Sequence, residues 1–133
     1  DVDKLKGREL DAAVAEAMGW KRVEPESFYF WPTVEMVEKL KAEHPDLLGV
    51  DYFPAPWFST DIAAAWELWK ELKAEGYDTI VGEEGDGYMS FHVVKDKCYE
   101  CLRDKTIALL FFKELDELPT TICRAYLKAK ETS

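Results

Sequence analysis

The most reactive grouping in the chain is Cys98-Tyr99-Glu100-Cys101. Two thiols separated by two residues form a redox couple when one is exposed and acidified and the other resolves the mixed disulfide. Lys95 and Lys97 lie just upstream and would stabilise a thiolate, whereas Glu100 between the sulfurs opposes one. The same pair, with His92 and Cys123 as third and fourth ligands, satisfies the donor chemistry of tetrahedral zinc. A lone Cys-x-x-Cys is half of such a signature. Cys123 also reads as a buried residue on its own helix, so ordinary reduced cysteines are a third account of these residues.

Ser59-Thr60-Asp61 sets hydroxyls beside a carboxylate, as a nucleophilic site would. His44 lies across a proline-rich loop and His92 on a strand, so no base is close in sequence, and the same three residue types cap helices. Glu83-Glu84-Gly85-Asp86-Gly87 gathers carboxylates around glycines, but lacks the twelve-residue calcium-loop spacing and has no Gly-Lys-Ser/Thr for phosphate; it reads as a solvated hairpin turn.

The segment Tyr52-Phe53-Pro54-Ala55-Pro56-Trp57-Phe58 packs four aromatics beside rigid prolines. Its rings either pin the loop to the core or present a recognition surface made of Tyr52, Phe53, Trp57 and Phe58. Such rings also stack on nucleobases, and Arg124 is the nearest candidate for a phosphate clamp if the closing helix lies alongside.

Local patterns place these residues on elements. Leu10, Val14, Ala17 and Met18 recur at helical spacing, and Gly19 ends that helix. Residues 20–23 and the aromatic run 28–31 read as short strands. Thr33 caps a second helix with Val34, Met36, Val37 and Leu40 facing inward, ending by His44-Pro45, and 46–56 reads as loop. A third helix opens at Ser59-Thr60-Asp61, carries Ile62, Ala65, Trp66, Trp69 and Leu72 on one stripe and stops at Gly76. Residues 79–81 and 88–94 form a hairpin. Residues 106–112 fit either a strand or a short buried helix. The last helix starts at Leu118-Pro119-Thr120 and buries Ile122, Cys123, Tyr126 and Leu127.

The chain has 133 residues, 47% hydrophobic, which suits a single domain. No apolar run approaches the ~20 residues of a membrane span, no basic-then-apolar signal segment opens the chain, and its start at Asp1 rather than Met fits a trimmed product. An odd count of three cysteines points to a reducing, cytoplasmic setting. The formal charge is −10, and residues 24–89 hold fifteen acids against four bases, a net −11 that accounts for the whole imbalance. No cluster of Lys and Arg exists to neutralise phosphates, which argues against direct nucleic-acid binding. Such acidity either keeps a small domain soluble or forms a face for a basic partner, with Glu35, Glu38 and Glu43 on the second helix as its first candidates.

Three ordered phrases carry a resemblance. Residues 10–20, LDAAVAEAMGW, end a short helix in Met-Gly-Trp; residues 56–67, PWFSTDIAAAWE, pass from an aromatic through Ser-Thr-Asp to Ala-Trp-Glu; residues 118–129, LPTTICRAYLKA, form a closing Ile-Cys-Arg-Ala helix. Together they resemble the phage ABA sandwich domain family. The resemblance implies an α+β fold, a three-layer α-β-α sandwich with a small mostly antiparallel sheet flanked by helices, and a phage or prophage origin. It brings no activity, cofactor or catalytic residue. Residues 32–55 depart from the pattern as an insertion within a single domain spanning 1–133.

The resulting expectation is a cytoplasmic phage accessory protein that is not an enzyme, uses no cofactor and acts by binding. Its target would be a host protein or a small signalling nucleotide, since a phage gains by blunting host defence through either. The acidic middle favours the protein. The alternatives are a structural or assembly role as a homodimer, and a redox or zinc protein built on Cys98 and Cys101.

Overall fold

Two glycines close two helices by the same device. In the computed structural model, which describes residues 2–47, 49, 51–83, 85–98 and 103–132, α1 spans Gly7–Ala17 and α3 spans Ile62–Ala74, with α2 (Val34–Glu43) between them. Past α1, Gly19 takes φ +97°, its N–H donates to the Glu16 carbonyl at 3.0 Å, and the Trp20 N–H returns to Ala15 at 3.1 Å. Past α3, Gly76 takes φ +95°, its N–H donates to Lys73 at 3.1 Å, and Tyr77 returns to Leu72 at 3.0 Å. Positive φ is the backbone state that glycine adopts most cheaply, and both closures deliver a buried aromatic, Trp20 or Tyr77, onto the helix it follows.

The other ends also follow local chemistry. Thr33 Oγ1 accepts from the Met36 N–H at 3.4 Å to open α2, and Asp61 Oδ1 accepts from Ala63 at 3.0 Å to open α3. Pro119 sits in the first turn of α4 (Leu118–Thr132), where a missing N–H costs nothing.

The strands form two antiparallel sheets. β1 (Lys21–Arg22), β2 (Tyr29–Trp31) and β3 (Phe53–Pro54) pair in that order. β4 (Asp78–Glu83), β5 (Met89–Cys98) and β6 (Arg103–Phe112) make the larger sheet, with a register shift beside Val93/Val94. The molecule is therefore mixed α+β. Residues 106–112 resolve as strand, and the expected 46–56 loop contributes β3. Pro54 is tolerated there because β3 is an edge strand, which can spare an N–H.

The main core lies between α1, α3, α4 and the inner face of the larger sheet. Leu10, Val14, Leu68, Leu72, Phe91, Val93, Ile122 and Tyr126 are fully enclosed in it. On α4 the buried Ala125 and Ala129 let neighbouring helices approach closely, and α4 packs on α1, α3, β5 and β6. Its expected stripe of Ile122, Cys123, Tyr126 and Leu127 is buried as read. A second, smaller cluster of Ala12, Ala15, Trp20, Phe30 and Ala55 joins the other side of α1 to the small sheet.

Two helix faces differ from expectation. On α3 the buried residues are Ala65, Leu68 and Leu72, while Ile62 and Trp66 are exposed. Trp69 sends its ring inward to Phe91, centroids 5.1 Å apart, and donates its indole N–H to Thr79; Trp66 then leans on Trp69 from outside, at 4.9 Å. On α2 nothing is buried: Val34 is 75% exposed, and Met36, Val37 and Leu40 are only half-covered. Among the described residues, no helix is long and apolar enough to cross a membrane.

Candidate functional site

The run Phe28-Tyr29-Phe30-Trp31 is aromatic at every position, and strand geometry decides what each ring does. Side chains alternate across β2, so Phe30 is fully buried while Tyr29 and Trp31 face outward. Tyr29 lies opposite Pro54 on β3, and Trp31 opposite Lys21 on β1. Tyr52 packs edge-on against Tyr29, centroids 5.9 Å apart at 83°. Tyr29, Trp31, Tyr52 and the nearby Trp57 are each 46–57% exposed. The acids Glu24, Glu26 and Asp51, neighbours of these rings in sequence, are exposed too.

Trp57 is held differently. The Arg8 guanidinium stacks 3.9 Å from its ring centroid and 5.9 Å from that of Phe28. Arg8 is fixed in turn by Asp11 at 2.8 Å and by the carbonyls of Ala55 at 2.7 Å and Pro56 at 3.3 Å. An arginine of the chain therefore already uses one of these rings as a cation platform.

The expected recognition segment splits into two roles. Tyr52 and Trp57 are displayed, whereas Phe53 and Phe58 are buried and anchor the loop. Arg124 lies elsewhere. Its Nη2 donates to the Leu5 carbonyl at 3.0 Å, its Nε is buried without a partner, and it lines a cavity of about 550 Å³ with Ser59, Thr120 and Thr121. Asp116 and Glu117 line the same cavity, so a phosphate there would meet carboxylates as well as the guanidinium. Glu117 is held ionised: the backbone N–H groups of Glu114 and Lys113 donate to it at 2.9 and 2.8 Å, which lowers its pKa, and Arg124 adds to the effect. Glu35, Glu38 and Glu43 are all exposed on α2.

Ser59-Thr60-Asp61 is structural in geometry. Asp61 caps α3, while Ser59 is buried, with its N–H on Asp11 at 2.7 Å and its hydroxyl on the Gly7 carbonyl at 3.3 Å. Cys123 is buried on α4, where burial raises its thiol pKa strongly and the charge of Asp11 adds to the rise. His92 pairs with Ile80 and Leu109 on the face of the larger sheet away from α4, so the structure does not bring it to Cys123. Cys101, Tyr99, Glu100 and the Cys98 side chain lie outside the described residues, as does Glu84 of the β4–β5 turn. Among the described residues, no cluster of three His, Cys, Asp or Glu is placed to hold a metal.

Sequence reading missed Arg8, Phe28, Tyr29 and Trp31 as site residues. For Tyr29 and Trp31 the strand was legible but not which of its faces turns outward, because all four residues of 28–31 are aromatic. For Arg8 only the pairing with Asp11 at i+3 was within local reach, because its Ala55 and Pro56 carbonyl partners lie 47 and 48 residues away. No family model, no curated protein and no solved structure matches the chain.

Proposed function

We propose that the protein is a phage or prophage accessory protein of the bacterial cytoplasm that acts by binding rather than catalysis, and that its target is a host protein presenting a basic segment. One observation carries this reading: Tyr29, Trp31, Tyr52 and Trp57 stand half-exposed within the stretch 24–89, whose net charge is −11. Rigid aromatics supply contact area at little entropic cost, and their faces attract guanidinium and ammonium groups. Arg8 on Trp57 illustrates that contact within the chain. The surrounding carboxylates steer cationic partners inward and repel phosphates, which favours a protein over a nucleotide signal. Blunting host defence is the role that the phage resemblance suggests for such binding.

The test is native mass spectrometry of the protein recovered from phage-infected cells, compared with its denatured mass. A co-purifying polypeptide that disappears in Trp31→Ala and Tyr52→Ala, yet persists in Phe111→Ala, is the expected result. An excess of a few hundred daltons would replace the protein target by a small ligand, and an excess of one zinc ion would move attention to Cys98 and Cys101. A bare chain under all conditions would remove the reading.

A second reading, assembly as a homodimer, has its own observation. Ile80, Leu109 and Phe111 are exposed on the face of the larger sheet that α3 and α4 leave uncovered. The three-layer α-β-α order inferred from the family resemblance calls for helices over that face, and a second copy could supply them. Sedimentation that stays monomeric across concentration would exclude it.

A further inference from the structure

Helix α2 touches the smaller core only through half-buried Met36 and otherwise stands over a cavity. Met36 and Leu40 of α2 face Ala64 of α3, and Met18, Trp20 and Phe58 complete a predominantly apolar, half-open cleft of about 460 Å³. Ligand pockets in proteins commonly measure about 300–1,000 Å³ and are lined in this way. Two thioethers in the wall, from Met18 and Met36, let it adapt to different shapes, while Trp20 and Phe58 are buried and form its fixed floor.

The charges at the rim are already matched. Glu67 of α3 takes Lys70 at 3.1 Å and, across the gap, Lys39 of α2 at 3.7 Å. Glu71 accepts the Tyr126 hydroxyl at 2.9 Å and pairs with Lys130 at 3.7 Å. Glu43 adds a further negative charge at the mouth. An anionic guest would meet this net acidity, and a charged group of either sign would be desolvated against an apolar wall. The lid itself is lightly held: no α2 side chain is buried, and its tie to α3 is the half-exposed Lys39–Glu67 pair.

We infer that the space between α2 and α3 is a binding site for an uncharged, apolar small molecule, whose insertion buries Met36 and Leu40. This site is independent of the aromatic surface on β2, so either can fail alone. The uncharged fluorophore N-phenyl-1-naphthylamine and its anionic relative 1-anilinonaphthalene-8-sulfonate make a matched pair of probes.

Titrated into the full chain, the uncharged probe should brighten saturably with one site per chain, and the sulfonate should bind about tenfold or more weakly. Ala64→Trp, which fills the cavity, should abolish the signal, while Phe111→Ser on the exposed sheet face should leave it unchanged. Leu40→Glu alters the half-exposed lid without touching the core and gives the same reading should Ala64→Trp fail to fold. No saturable binding, equal affinity for both probes, loss of signal in Phe111→Ser, or persistence of signal in Leu40→Glu would each overturn the assignment.

Discussion

Asp11 Oδ1 accepts the backbone N–H of Ser59 at 2.7 Å, and both residues are buried. The other carboxylate oxygen takes Arg8 at 2.8 Å, and Thr120 Oγ1 donates to the Ser59 carbonyl at 3.0 Å. Residues 10–20, 56–67 and 118–129 thus meet at one serine. Asp11→Ala would leave the buried Ser59 N–H without an acceptor and take from Arg8 its carboxylate, though not the Ala55 and Pro56 carbonyls, a loss of about 1–3 kcal/mol. Asp11→Asn retains one acceptor and should cost visibly less. Urea unfolding of the three proteins measures this, and an Asp11→Ala loss below ~1 kcal/mol would show that the hub carries little energy.

The exposed rings should separate binding from stability. Trp31 and Tyr52 are half in solvent, so replacing either with alanine should shift unfolding free energy by no more than ~0.5 kcal/mol. Trp57→Ala loses its stack on Arg8 and should cost about 0.5–1 kcal/mol more. A synthetic arginine-rich peptide, followed by tryptophan fluorescence, should bind the parent chain with an affinity that weakens as salt rises, and Trp31→Ala should reduce it by ~1–2 kcal/mol. Salt-independent binding would argue that the acidic field plays no part.

What was legible in the sequence is what local backbone chemistry decides. Gly19, Gly76, Thr33, Asp61 and Pro119 each sit where their own conformational or capping preference places an end, so the four main helices could be read directly. The orientation of a helix was less legible. Ile62, Ala65, Trp66, Trp69 and Leu72 do share a helical stripe, but tertiary packing rotated the buried line to Ala65, Leu68 and Leu72, because one tryptophan alone fits against Phe91. β3 was hidden by its two-residue length and its proline. The aromatic surface was half visible: Tyr52 and Trp57 stood out by composition, whereas Tyr29 and Trp31 were masked by a run in which every residue is aromatic and no alternation shows.

Cys123 should behave as an inert core atom. Burial and the nearby Asp11 charge both raise its thiol pKa, so little thiolate forms near neutral pH. Pulse alkylation of the native chain at pH about 8, read by peptide mass mapping, should leave Cys123 unmodified, and full labelling should appear once the chain is unfolded in denaturant. Rapid labelling in the native state would mean that α4 opens locally far more often than its burial implies.

Glu117 should make the turn before α4 sensitive to acid. The N–H groups of Glu114 and Lys113 both favour its ionised form, so its pKa in the folded chain lies below the unfolded value of about 4.3. A carboxyl depressed in this way contributes stability that is fully present above its unfolded pKa and is lost as pH falls through its folded pKa. Glu117→Gln keeps an oxygen acceptor but removes the titration. The parent should therefore be the more heat-stable of the two at neutral pH, with the gap in Tm constant down to about pH 5 and closing below about pH 4. A gap that stays constant through the acid range would mean that Glu117 works there as a neutral acceptor, and that its charge contributes nothing to holding β6 against α4.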